Sequence, residues 1–585
     1  MKILHLALIL CLSFFTFCSS EAQEPVLLEG WPVMIFDSSP FAAPLQGLTV
    51  YDINNDGYLE IFLSFGNKIY AYDYGGNPLP NWPYVNSNED NQFGNSPVIG
   101  DIDGDNEPEI VLDWRNAYQH TAGLIAVNPD GSLCDGFPVD LSGNEAGTHL
   151  TLFDLNSDRA LEIIVGINRL SPDSLNQLRV YSGNGDFYPG WPVDGLYVLG
   201  IAAGDIENDG EIELVVTTSN NYNGLLYALE SNGSVVEGFP VDIGGTLDSV
   251  LIKDQPVLFD LDGNGTLEIG VLYGTPRITP PLTLDYVSIY NYQGHELDHW
   301  PYYSGVYAPV SLSIGKDISD NQVYVVFGGS YNGQFFLLNA HDGNLVNGWP
   351  FHTPHPSACN WDRPSIGDID GDGSSDYIFN YNVARRDSVT GLFEGRIWAL
   401  NKHGELLENF PLWVYGYTFP GGVSLADINN DGIAEMIFHT IYDFGGRPVQ
   451  RIYAFKLKDI LYEEERFPWP MSGHDAQQTN NLNFRMPTSV NDKNNPNLPS
   501  VVTLTNHPNP FNSSTIIEYA VEEKGNAQLE IYNLLGQKVA TLVDDEILPG
   551  KHSVRWNADR FSSGIYFSVL KTGDVKHTRR MVLLK

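Results

Sequence analysis

Apolar and polar positions alternate along this chain in short units. Runs of five or six β-prone residues recur: "EIFLSF", "EIVLDW", "EIIVGI", "ELVVTT", "EIGVLY", "DYIFNY" and "EMIFHT". Each is entered through a loop crowded with carboxylates, and each loop follows another short apolar run such as "SPVIGD". The loop therefore reads as the turn of a β-hairpin. Further on come a third strand, a glycine turn and an aromatic–proline pair, as in "LRVYSGNGDFYPGWP" and "IWALNKHGELLENFP". These pairs begin at Trp31, Trp82, Phe137, Trp191, Phe239, Trp300, Trp349, Phe410 and Trp469.

The acidic loops start at residues 52, 101, 154, 205, 260, 317, 368 and 427, spacings of 49 to 59 residues. A period of that size marks a repeat architecture. Four short antiparallel strands per unit, arranged around an axis, make a β-propeller. Eight loops against nine aromatic–proline marks predict an all-β propeller of eight blades with one spare outer strand, which closes the ring by pairing one terminus with the other. Seven blades is the alternative.

Seven loops place acid or amide oxygens at positions one, three, five and nine. They are Asp52, Asn54, Asp56, Glu60; Asp101, Asp103, Asp105, Glu109; Asp154, Asn156, Asp158, Glu162; and Asp205, Glu207, Asp209, Glu213. The others are Asp260, Asp262, Asn264, Glu268; Asp368, Asp370, Asp372, Asp376; and Asp427, Asn429, Asp431, Glu435. Such crowding repels itself unless a cation is caged, and Ca²⁺ accepts six to eight hard oxygens. About seven Ca²⁺ sites are expected. Position six is glycine in five copies, which suits a turn with positive φ. Asn106 tolerates that conformation, whereas Arg159 does not adopt it cheaply, so the third site is expected to be distorted or weaker. In the eighth loop, "IGKDISDNQVYVVF", only Asp317 and Asp320 survive and the spacing is broken.

On these seven loops the chain resembles the FG-GAP family (integrin α-type, or VCBS, repeats) over roughly residues 30 to 475. The resemblance implies calcium in the hairpin loops of one propeller face and partners docking on the opposite face.

The opening "MKILHLALILCLSFFTFCSSEAQ" has a lysine, an apolar run and a small-residue end, so residues 1–22 read as a secretory signal. No other run is long enough to span a membrane. Residues 23–483 form the propeller, and the Pro- and Asn-rich stretch 484–500 reads as a linker. Residues 501–585 alternate in the β sense, with Leu529, Ile531, Val554 and Trp556 on the expected buried face, enough for a small β-sandwich. "HPNPFN", "IYNLLGQKV", "SGIYF" and the terminal "MVLLK" resemble the sorting domain of type IX secretion cargo, an immunoglobulin-like module. That resemblance implies the type IX machinery as partner, passage across the outer membrane, and surface display or release. The basic stretch Lys571 to Lys585 is a candidate for the face this machinery reads.

The net charge is −42, and 24 of the 73 acidic residues occupy ligand positions of the seven loops. Such a surface excludes nucleic acid and anionic membranes as partners. Beyond the signal only Cys134 and Cys359 remain, so disulfides do not organise the fold. Seven copies of the same carboxylate loop point to structural ions, not to acid–base catalysis. His352, His355 and Cys359 form one further metal candidate. No nucleophile elbow, phosphate loop or HExxH motif occurs.

Two enzyme readings remain beside a binding role. A quinoprotein-like dehydrogenase is suggested by the blade hairpins, and a polysaccharide lyase by Arg277, Arg363, Arg385 and Arg386, the best basic groups on the face opposite the ions. The binding reading, for an unknown glycan or protein, rests on loops of that face. They carry Trp114, Tyr118, Tyr302, Tyr303, Tyr307, Trp361, Trp413, Tyr415 and Tyr417, rings suited to sugar faces or protein anchors.

Overall fold

A computed structural model describes residues 25–36, 47–483 and 504–585, apart from short stretches at 117, 142–146, 169–175, 221–222, 246, 248, 276–284, 306–311, 329–332, 354–362, 387–392, 419–420, 444–447, 508–510, 522–524, 534–536, 548–549, 559 and 573–574. The first repeat shows the design. Leu48–Tyr51, Glu60–Phe65, Lys68–Tyr72 and Tyr84–Val85 lie side by side in chain order as one antiparallel sheet. The second strand, Glu60–Phe65, is buried along its whole length. A strand covered on both faces reads as a continuous apolar run, which is why "EIFLSF" and its counterparts show no alternation.

Among the described residues, 25–483 form eight antiparallel sheets of four to six strands, the last of which also takes in the two N-terminal strands. Apolar clusters cross from each sheet to the next: Val98, Val111 and Leu124 pack with Leu150, Ile163 and Val165 of the following sheet. The chain is a β-propeller. Its only described helical element is the 3₁₀ turn Glu464–Arg466.

The ring is closed by the N-terminal strands. Val26–Leu27 and Val33–Phe36 both pair antiparallel with Pro448–Leu461, the long third strand of the last sheet (Val26↔Lys456, Val33↔Ile452). The strand that follows Trp31 is the outer strand of the last sheet, so among the described residues eight outer strands serve eight sheets and the expected spare one is not found. Eight aromatic–proline pairs, Trp31–Pro32 through Phe410–Pro411, have cis peptide bonds. The ninth mark, Trp469, belongs to no strand and is fully buried.

Trp469 sits in a segment with a different task. Residues 466–483 run along the first strands of successive sheets. Backbone N–H groups of Asp368, Ile366 and Leu425 donate to the carbonyls of Arg466, Trp469 and Pro470 at 2.8–2.9 Å. Those of Ile99, Leu152, Ala203 and Leu258 donate to the carbonyls of Ala476, Gln477, Thr479 and Asn480 at 2.8–3.1 Å. Because first strands line the axis of a propeller, this segment is a plug at the hub. Its buried polar side chains, Gln477, Thr479, Asn480 and Asn481, follow from that position. They face strand edges, whose donors and acceptors need partners.

The hub also contains a buried ion pair. Arg363 Nη2 lies 2.8 Å from Asp254 Oδ1, and the same guanidinium donates to Asn480 of the plug.

Residues 504–583 make two further sheets. One holds Leu504–His507, Ser514–Val521 and Gly550–Asn557; the other Lys538–Ile547, Gly525–Asn533, Gly564–Thr572 and Val575–Leu583. One core joins them: Ile517, Tyr519 and Trp556 from the first, Leu529, Ile531 and Leu570 from the second. Leu529, Ile531 and Trp556 are buried as expected, and Val554 is partly so.

Candidate metal centres

The seven loops are built alike. The carboxylate at position one accepts the backbone N–H of position six: Gly57 to Asp52, Asn106 to Asp101, Arg159 to Asp154, Gly210 to Asp205, Gly265 to Asp260, Gly373 to Asp368 and Gly432 to Asp427, all at 2.8–3.0 Å. One oxygen at position nine accepts the N–H of position two across the hairpin, from Ile53 to Glu60 through Ile428 to Glu435, at 2.8–3.0 Å. The Oδ1 at position five accepts the N–H of position seven, as Tyr58 donates to Asp56 at 2.9 Å and Thr266 to Asn264 at 2.7 Å. At position one both oxygens shape the turn, as Asp52 accepts from Asp56 and from Gly57, whereas position nine spends one oxygen on the turn and keeps the other for the loop.

Arg159 has φ +82° and makes the same hydrogen bond at 2.9 Å as its glycine counterparts. The expected distortion of the third loop is absent. Ser157, at φ +62°, and Arg159 carry the strain instead, because the hairpin and its seven-residue bond from Leu155 to Glu162 over-determine the turn.

Four loops carry a carboxylate at position three and three carry asparagine; in one of the four, Asp260, Asp262 and Glu268, position five is the amide Asn264. In Asp101, Asp103 and Glu109; Glu207, Asp209 and Glu213; and Asp368, Asp370 and Asp376, carboxylate oxygens converge within 4.8 Å of one another. Glu213 Oε1 and Asp376 Oδ1 are buried with no hydrogen-bond partner. Where position three is asparagine, its amide donates to that same oxygen: Asn54 to Glu60 at 3.2 Å, Asn156 to Glu162 at 3.3 Å and Asn429 to Glu435 at 3.4 Å. A buried carboxylate oxygen without a donor is costly, and a hard cation is what these converging oxygens fit.

Burial, reinforced by neighbouring aspartates, pushes the position-nine acids upward: Glu60 and Glu268 to about 7, Glu109, Glu162, Glu213 and Glu435 to about 8. Asp376 is raised well above the carboxylate range for the same reasons.

The broken eighth loop is neutralised from within the chain. Lys402 Nζ lies 3.6 Å from Asp317 Oδ1 and 3.4 Å from Asp320 Oδ2. Ser374 Oγ and the Ser375 N–H donate to Asp317 at 2.9 Å. Burial works against the charged form of Asp317, yet the Ser319 and Ser374 hydroxyls, the Ser375 N–H and Lys402 outweigh it and hold its acid below the ordinary value. The sequence offered only the lost spacing as a signal. The lysine is 85 residues away from Asp317 and has no motif of its own.

Of the rings expected on the face opposite the ions, Tyr118, Tyr303, Trp413 and Tyr415 are exposed. Trp114, Tyr302 and Tyr417 are partly buried, with Tyr302 packed edge-on against Phe327 and Phe336. Tyr307 and Trp361 lie outside the described residues, as do His355, Cys359 and Arg277. His352 is exposed at the end of the strand Phe351–His352. Arg363, expected in a substrate groove, is buried against Asp254. The side chains of Arg385 and Arg386 are outside the description.

In the C-terminal sandwich, Glu530 is buried and accepts from Lys538, Lys571 and Tyr532 at 2.5–2.9 Å.

Residues 506–584 match the family described as the secretion system C-terminal sorting domain, and residues 52–112 match the FG-GAP-like repeat. No curated protein matches the chain. Among solved structures, the V. cholerae biofilm matrix protein Bap1 is similar at 15% identity, over 80% of this chain and 96% of its own, with a TM-score of 0.38. The Dos1 propeller is similar at 10% identity, over 76% and 98%, with a TM-score of 0.40. PorZ, a surface component of the type IX secretion system of Porphyromonas gingivalis, is similar at 11% identity, over 93% and 75%, with a TM-score of 0.21. The chain is a β-propeller with an FG-GAP-like repeat at residues 52–112, followed by a type IX sorting domain at 506–584. That domain directs export through the type IX system to the cell surface or extracellular space. No helix among the described residues is long and apolar enough to cross a membrane.

Proposed function

We propose that this chain, after loss of residues 1–22, is a calcium-stabilised binding propeller that serves in adhesion to a glycan or protein at the cell surface. Residues 23–483 are the binding body, 484–500 the tether, and 501–585 the immunoglobulin-like address read by the export machinery. Ca²⁺ is held at positions one, three, five and nine of the seven loops, where it neutralises clustered oxygens and locks each hairpin. At a tenfold excess over Kd each ion contributes about 1.4 kcal/mol. Seven such ions, on the order of 10 kcal/mol, rival a typical whole folding margin of about 5–15 kcal/mol.

The observation that carries the binding role is the exposure of Tyr118, Tyr303, Trp413 and Tyr415 at strand ends away from the ion loops. Exposed aromatic rings on a rigid scaffold suit sugar faces and protein anchors. The lyase reading loses support because Arg363 is committed to Asp254. A glycan array and a pull-down with the exported chain in millimolar calcium test the proposal. Retention of a glycan or protein, lost on substitution of these rings, supports it; no retention on either assay refutes it.

A further inference from the structure

Two of the exposed rings have guanidinium groups set against them, in a chain that is otherwise strongly acidic. The strand Phe393–Asn401 pairs Asn401 with Asp376, an ion-loop residue, at one end. At its other end Arg396 is opposite Trp413 and Glu394 opposite Tyr415, so both rings lie at the rim remote from the ions. Trp413 is 58% exposed and Tyr415 56%. The Arg396 guanidinium carbon is 3.7 Å from the centroid of the Trp413 ring. One indole face therefore rests on a cation while much of the ring stays open to solvent.

The next sheet continues the strip. Arg451 lies 5.7 Å from the Tyr415 ring and 4.8 Å from that of Tyr442. Its Nη2 donates to the Tyr442 hydroxyl at 3.4 Å, and that hydroxyl reaches Met34 Sδ at 3.9 Å. Met34 and Phe36, on the strand that closes the ring, extend the exposed apolar surface. Arg396 is buried beneath its indole, whereas Arg451 is half-buried and borders solvent.

Open aromatic plates suit the C–H faces of pyranose rings. A neutral sugar gains only ordinary hydrogen bonds to its hydroxyls from guanidinium groups beside those plates, while a carboxylated one gains paired, charge-assisted ones. The net charge of −42 repels anionic polymers from the surface at large, so local cations are needed where one is to be held. We propose that this strip binds a uronic-acid polysaccharide, with Trp413 and Tyr415 stacked on successive rings and Arg451 on a carboxylate. Arg396 acts as a positioning residue that holds the indole. The inference rests on the adhesion reading above and narrows it to one ligand class and one place.

Calorimetric titration of the full chain in calcium, with oligogalacturonate, its methyl ester, oligoalginate and a cello-oligosaccharide as probes, tests this. The expected result is binding of at least one uronate, at least tenfold tighter than the ester or neutral probe. Trp413→Ala and Tyr415→Ala should each weaken it at least tenfold, Tyr415→Phe should restore it, and Arg451→Gln should abolish the preference for acid over ester. Unchanged far-ultraviolet circular dichroism and melting temperature show that the variants are folded. Equal binding of acid and ester, wild-type affinity in the variants, or no binding of any uronate overturns the inference. If an array ligand is still retained when these variants are used, the adhesion reading stands and only this location falls.

Discussion

Lys402 Nζ stands 3.6 Å from Asp317 Oδ1, and the two residues belong to neighbouring sheets. The lysine stands where a bound ion would sit in the other loops, as a cation attached to the chain. Asp317 is fully buried, and the Lys402 side chain is only 19% exposed. Removing one partner of such a pair strands the other charge. Lys402→Met should cost about 2 kcal/mol, below the usual 3–5 kcal/mol because the lysine borders solvent. Urea unfolding should show this loss equally in millimolar calcium and in chelator. A loss that calcium repairs would mean the loop takes an ion after all.

The split at position three predicts unequal dependence on calcium. Two of the four loops with a carboxylate there leave an oxygen without a donor, Glu213 Oε1 and Asp376 Oδ1, while asparagine loops supply one internally. On chelation, amide exchange should rise first in the hairpins starting at 205 and 368, where a buried oxygen has no donor, and later in those at 52, 154 and 427. The whole chain should melt well below its calcium-loaded temperature. Identical melting in chelator and in calcium would remove the structural role of the ions.

Arg159 holds φ +82° where five other loops have glycine. The strain of this conformation, roughly 1–2 kcal/mol for a residue with a Cβ, is offset in part by the extra unfolded-state entropy of glycine, roughly 0.5–1 kcal/mol. Arg159→Gly is therefore expected to raise stability by about 0.5–1 kcal/mol, read as a higher urea midpoint with unchanged slope.

His439 is 2% exposed, and its Nε2 has no partner. Burial lowers its pKa to about 4. The unfolded chain, with an ordinary value of about 6.5, then binds the proton more readily than the native one. The stability owed to the neutral ring is complete above about 6.5 and is lost as the pH falls toward 4, by about 3 kcal/mol. His439→Leu should flatten the acid limb of stability against pH by that amount; parallel curves would show that the ring does not titrate in this range.

Arg363 and Asp254, 2.8 Å apart, are buried at the hub where Asn480 of the plug joins them. Arg363→Met should destabilise by about 3–5 kcal/mol, and adding Asp254→Leu should recover most of that loss, because the cost is the orphaned carboxylate and not the missing attraction. Equilibrium unfolding of the single and double variants measures both.

Residue order alone carried the repeat, the strand-and-loop rhythm and the sorting sequence. These are local signals: a carboxylate every second position, a glycine where φ must be positive, an apolar run where a strand is covered on both faces. What the folded chain decided is what required distant residues to meet. Trp469 matches the aromatic–proline mark, yet it lies in the plug and not in a ninth outer strand, because its partners are backbone groups of first strands such as Ile366. Lys402 is an unremarkable lysine until adjacent sheets bring it to Asp317, and Arg363 looks available until the ring folds it onto Asp254. Propeller closure itself pairs Val33 with Ile452. A periodic pattern specifies each blade through neighbours in sequence, but the contents of the hub and the joining of the ends depend on contacts that only the closed ring creates.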